Sequence, residues 1–178
     1  MGRTFTCIRP RVQPSFYGRL ACLFTELVSV IRTQRIARFI PMKCLIKPLG
    51  LNTAFRPDIV ILDRTALANE PLWKTEPVIT LGNSVKLVVE VVSTNWQNDY
   101  ARKVEDYEAL GISEYWIVDY LGLGGKRYIG SPKQPVITIY QLVEGTYQGQ
   151  QFRKSDRLIS QTFPDLNLTA EQIVAAGQ

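Results

Sequence analysis

Residues 85–119 read VKLVVEVVSTNWQNDYARKVEDYEALGISEYWIVD, and the fold is decided there. Val85 to Val92 is nearly all apolar and β-branched, the composition of a strand buried on both faces. Asn98 to Leu110 carries Tyr100, Val104 and Tyr107 at helical spacing and stops at Gly111, a residue suited to a left-handed C-cap. Ser113 to Asp119 is a second strand, followed by a turn at LGLGG. Strand, helix and strand in close succession predict an α/β domain built on a mixed sheet.

Working outward, Arg56 to Leu62 is a short apolar run that suits another buried strand. Pro135 to Val143 alternates cleanly, Glu144-Gly145 makes a turn, and Tyr147 to Phe152 returns as a C-terminal β-hairpin. Thr169 is placed to cap a closing helix. Upstream, Lys43 to Lys47 reads as a strand, and residues 63–82, with two prolines, as a long surface connection. From Gly18 the residues Leu20, Leu23, Phe24, Leu27, Val28 and Ile31 form one apolar stripe at the helical period. Residues 1–17 are read as an irregular arm ahead of a single domain spanning 18–178.

Composition excludes several chemistries. The chain of 178 residues contains no histidine, which removes Ser-His-Asp triads, Cys-His dyads and His-based zinc sites. Its three cysteines, Cys7, Cys22 and Cys44, form no CxxC pair, so neither a disulfide framework nor a cysteine zinc site is expected, and a reducing cytoplasm is the default. No apolar run is long enough to span a membrane. Charge is uneven. Residues 1–50 hold nine Lys/Arg against the single acid Glu26, and the remainder twelve against fifteen acids. A basic front of that kind suits a polyanion.

Two acids stand out. Glu90 is set inside the apolar run VKLVVEVV, where an unpartnered charge is costly. Asp58 enters another apolar strand, after a proline that forces an extended approach. If the two strands are neighbours, both carboxylates converge at one end of the sheet, and their repulsion calls for a cation. Mg²⁺ suits oxygen ligands of this kind; a buried Lys or Arg beside Glu90 is the structural alternative. Lys103, at the edge of the inward stripe of the following helix, can reach the same sheet end, or simply pair with Asp99 one turn earlier.

The strings RPDIVIL, VKLVVEVVS and DYARKVEDYEALGISEYWIVD resemble the Uma-two family of restriction-endonuclease-like proteins, within the PD…(D/E)xK nuclease superfamily. The resemblance implies a restriction-endonuclease-like α/β fold, a mixed β-sheet core flanked by helices. It also implies Mg²⁺ (or Mn²⁺) held by Asp58, Glu90 and the backbone carbonyl of Val91, with Lys103 assisting the attacking water. In this family the lysine stands on the following helix and not two positions after the acid, where Val92 is. Tyr107 matches the family's aromatic after the lysine and is expected to be part core, part site wall.

Family members begin with a YELxxG segment and a histidine, which this chain lacks; residues 1–17 therefore read as a diverged or truncated front. Glu26 is the one acid available in the first helix as a further site wall. Arg19, Arg32, Arg35 and Arg38 are candidate phosphate contacts. The expected activity is Mg²⁺-dependent hydrolysis of DNA phosphodiester bonds by a homodimer. The alternative is a catalytically inactive nuclease fold that binds nucleic acid or acts as a scaffold.

Overall fold

The computed structural model describes residues 14–34, 37–48, 50 and 53–176, without the side chains of residues 14–17 and 19. A six-stranded mixed sheet forms the centre. Its strands in chain order are β1 (Arg38–Phe39), β3 (Ile59–Asp63), β5 (Val85–Val91), β6 (Glu114–Asp119), β7 (Val136–Val143) and β8 (Thr146–Phe152), and they lie side by side in that same order. Only β5 and β6 are parallel; every other neighbouring pair is antiparallel. The parallel pair is joined through helix α2 (Lys103–Leu110), the crossover that parallel strands require. A second sheet pairs β2 (Leu45–Ile46) with β4 (Val78–Ile79) in parallel.

Alternation along the central strands sorts the core onto two faces. Ile59, Ile61, Leu87, Val89, Trp116 and Val118 face helix α1 (Pro14–Gln34) and the C-terminal segment with α4 (Ala170–Ala175). Val60, Leu62, Val88, Tyr115 and Ile117 face α2 and the small sheet, against Tyr107, Ile46 and Ile79. Burial on both faces makes β5 and β6 read as continuous apolar runs, and each such side chain contributes about 1.5–3 kcal/mol of transfer free energy.

Several local expectations hold. Gly111 caps α2 at φ 79°, and Thr169 forms a capping box with Gln172. In the C-terminal hairpin Glu144 and Gly145 have φ of 50° and 82°, the two positive values of a tight primed turn. A short helix α3 (Lys126–Ile129) follows the LGLGG turn.

Others need correction. The first helix begins at Pro14 and not at Gly18, because proline's fixed φ and missing N–H suit a first helical turn; residues 1–13 of the expected arm lie outside the described residues. Its buried line is Leu23 and Leu27 with Leu20, Val30 and Ile31 packed beside them, so Phe24 is turned outward and 42% exposed. The expected strand at Lys43–Lys47 shrinks to Leu45–Ile46. Residues 63–82 are no mere surface connection: Leu67, Glu70, Val78 and Ile79 are buried, and Glu70 accepts hydrogen bonds from Thr80 N (3.0 Å), Thr80 Oγ1 (3.1 Å) and Leu81 N (3.0 Å). Among the described residues no helix is long and apolar enough to cross a membrane.

Candidate active site

Strand register brings the two acids together. Ile59 pairs with Val89 and Val60 with Val88, so one step further along the antiparallel ladder Asp58 lies opposite Glu90. The period of two puts both on the face of Val60 and Val88, toward α2. The Val91 N–H donates to Asp58 Oδ2 at 2.8 Å and fixes that carboxylate at the strand end. Glu90 is 3% exposed, and Tyr107 donates its hydroxyl to Glu90 Oε1 at 2.9 Å. Tyr107 is fully buried in the core, and only its hydroxyl reaches the Glu90 carboxylate.

The helix supplies the cation. Its first turn, Asn98–Arg102, is a π-helix, a wide turn often found at functional sites, before the α-helix proper starts at Lys103. Lys103 and Tyr107 are one turn apart on the same helix face. Lys103 Nζ donates to Asp99 Oδ1 at 2.8 Å and lies 3.0 Å from Glu90 Oε1. Asp99 is itself buried, and its backbone carbonyl accepts the Tyr115 hydroxyl at 3.0 Å. Asp58, Glu90, Asp99 and Lys103 share one pocket, whose rim includes Arg56, Ser93, Asn95, Asn98 and Arg102.

Burial dominates the electrostatics. It raises the Asp58 carboxyl from 3.8 to about 6, against the Val91 N–H and Lys103, with Asp99 adding to the rise. Burial also raises Glu90, opposed by Lys103 and reinforced by Asp58 and Asp99. Asp99 rises for the same first reason, with Lys103 again opposing. Burial works against the Lys103 ammonium too, but Glu90 and Asp99 outweigh it and hold the group above its ordinary value, so it stays charged. Three carboxyl groups, each pushed toward its neutral form by burial, therefore share a single half-buried ammonium.

The donor set suits a hard divalent cation. The hydrogen bonds and the ion pair to Asp58 and Glu90 fall on Oδ2 and Oε1, and among the described residues nothing donates to Oδ1 or Oε2. Two such oxygens, with water and substrate completing the shell, are what Mg²⁺ accepts. Among the described residues no group of three His, Cys, Asp or Glu side chains is arranged to hold a metal ion, and the Lys103 ammonium stands between Glu90 and Asp99. The buried-lysine partner considered for Glu90 is thus also real, and it is the same lysine.

The structure does not bring the remaining candidates into this pocket. Glu26 is exposed on α1, and α1 packs on the opposite face of the sheet, so it walls no part of the site. Arg32 is exposed on that same helix. Arg38 pairs across the ladder with Asp63, at the end of β3 away from Asp58, and its guanidinium is engaged by the Thr162 carbonyl and the Phe163 ring. These arginines therefore do not line the pocket; the Arg19 side chain and Arg35 lie outside the described residues. Conversely, Asp99, Arg56 and Arg102 were not among the expected site residues. Asp99 had a sequence signal, its i, i+4 spacing from Lys103, but that spacing equally describes a surface pair.

The family model Uma2, described as "Putative restriction endonuclease", matches residues 12–171. Among solved structures, a "putative nuclease belonging to DUF820" from Anabaena variabilis ATCC 29413 is similar, with a TM-score of 0.67 at 16% identity, over 95% of this chain and 85% of that one. At that identity the likeness is one of fold. No curated protein matches the chain.

Proposed function

The chain belongs to the Uma2 family, and from that premise we propose that it is a divalent-metal-dependent endonuclease hydrolysing DNA phosphodiester bonds in the pocket of Asp58, Glu90 and Lys103. The observation that carries the reading is the convergence of two carboxylates at one sheet end, Glu90 buried and Asp58 half-buried, each keeping an oxygen without a described donor, beside a lysine held as ammonium. Asp58, Glu90 and the Val91 carbonyl would hold Mg²⁺ or Mn²⁺. When bound, such an ion supplies Lewis-acid stabilisation of charge on phosphoryl oxygens.

The chain's own groups do the rest. The Val91 N–H and the Tyr107 hydroxyl fix the orientation of the two carboxylates, so little reorganisation is needed when substrate arrives. The Lys103 ammonium donates hydrogen bonds at the same spot; it holds the attacking water and offsets charge developing on the phosphate. Arg56 and Arg102 at the rim meet neighbouring phosphates, contacts that give affinity without sequence information.

The Lys103–Glu90 ion pair also supports a second reading, a catalytically inactive nuclease fold that binds nucleic acid, because it satisfies Glu90 without any metal. Cleavage of supercoiled plasmid in Mg²⁺ or Mn²⁺, run with Asp58→Ala and Glu90→Gln, separates the two. Nicking by the wild type, with each variant slower by at least about 1000-fold, supports the nuclease. The loss corresponds to roughly 4 kcal/mol of transition-state stabilisation. A folded wild type that binds plasmid in chelator and never cleaves it establishes the binding protein.

A further inference from the structure

We propose that Asp99 is a positioning residue for Lys103: by sharing the ammonium, it keeps Glu90 available to a divalent cation. The inference rests on the nuclease reading above and adds to it a residue that acts through the lysine.

One ammonium stands between two carboxylates, 2.8 Å from Asp99 Oδ1 and 3.0 Å from Glu90 Oε1. Glu90 Oε1 is already served by the Tyr107 hydroxyl. If Lys103 had only Glu90 to answer, its whole charge would fall on that carboxylate, in a site where low dielectric makes the attraction strong. A cation arriving at Glu90 would then have to compete with a dedicated lysine. Asp99 takes part of that charge and anchors the ammonium on the helix side of the pocket.

The position of Asp99 is built, not incidental. The π-turn at Asn98–Arg102 carries it, it is 5% exposed, and the Tyr115 hydroxyl from the central sheet holds its backbone carbonyl at 3.0 Å. A helix-stabilising pair would work as well on the solvent side, without the cost of burying a further carboxylate. Asp99 Oδ1 is given to Lys103, so the contact that the structure shows is with the lysine.

The test is a double-mutant cycle read by calorimetric titration of Mn²⁺ into the full chain without DNA, using wild type, D99N, K103M and D99N/K103M. Circular dichroism and thermal melting check each fold, and K103Q replaces K103M if methionine is not tolerated. D99N is expected to weaken Mn²⁺ binding about tenfold in the wild-type background and less than about twofold once Lys103 is gone. An equal loss in both backgrounds would mean that Asp99 acts by its own charge or as a ligand, and would overturn the inference. Unchanged binding in D99N would overturn it as well. If the wild type itself binds no Mn²⁺, the nuclease reading falls and this inference with it, a failure visible in the first titration and not in the comparison of variants.

Discussion

Glu90 and Glu114 stand on adjacent strands of one sheet, both buried, and are partnered in opposite ways. Glu114 opens β6 on the face of Trp116. It accepts hydrogen bonds from Trp116 Nε1 and from Ser160 Oγ (2.7 Å) on Oε1, and from Thr162 N (2.8 Å) on Oε2. Both of its oxygens are served by neutral donors, and what it holds is the C-terminal segment against the sheet. Glu90 is the penultimate residue of β5 on the other face, with its hydrogen bond and its ion pair on one oxygen and two further acids, Asp58 and Asp99, in the same pocket. A buried carboxylate surrounded by neutral donors is a staple. One that shares a single lysine with other carboxylates is what the proposed nuclease reading uses to hold a metal ion.

The largest effect that could break this contrast concerns the staple. Glu114→Ala leaves three donors without an acceptor and should cost about 3–5 kcal/mol in urea unfolding. Glu90→Gln should cost no more than about 1 kcal/mol on the same measurement, since Tyr107 keeps an acceptor there. Similar losses for both would mean that Glu90 is structural too.

The next effect is one of pH. Asp58 titrates near 6 in the folded chain against an ordinary 3.8. Its folded value is raised, so its contribution to stability is full below the ordinary value and is lost as pH rises through 6. Between pH 5 and pH 8 the metal-free wild type should lose about 1.4 kcal/mol relative to Asp58→Asn, read as the difference of their urea curves. A flat difference would mean that Asp58 stays ionised throughout.

Glu70 sharpens the staple class with a smaller effect. Glu70→Gln keeps one acceptor oxygen for Thr80 and Leu81 and should cost about 1–2 kcal/mol in thermal melts, with plasmid cleavage at a permissive temperature unchanged. The smallest expected change is at the pocket rim. Arg102 is half-exposed and shared between Thr53 and Asp106, so Arg102→Ala should weaken plasmid binding only a few-fold, more at low salt than at high.

The candidate site was partly legible in the chain because its acids break a local rule. A charge within VKLVVEVV, and another at the mouth of IVIL after a proline, are anomalies that a window of a few residues exposes. Lys103 and Tyr107 were legible through their place in the helical stripe and through the family resemblance. Glu26 misled because the stripe of α1 says that the helix is buried on one side without saying against which face of the sheet. Glu70 and Glu114 were missed because their partners are loop groups, ten or eleven residues on for Glu70 and more than forty for Glu114, which no short spacing reports.

The sequence by itself placed strands over 56–62, 85–92 and 113–119, within three residues of those observed, together with the Gly111 and Thr169 caps and the hairpin turn. Periodicity, glycine conformation and capping chemistry act within a few residues and need no partner from elsewhere. Tertiary structure alone decided that α1 lies across the sheet from Asp58 and Glu90, that β2 pairs with β4 inside an apparent loop, and that Lys103 is shared between Glu90 and Asp99. Those outcomes depend on which surfaces meet and on which charges are buried together, and burial is a property of the folded whole.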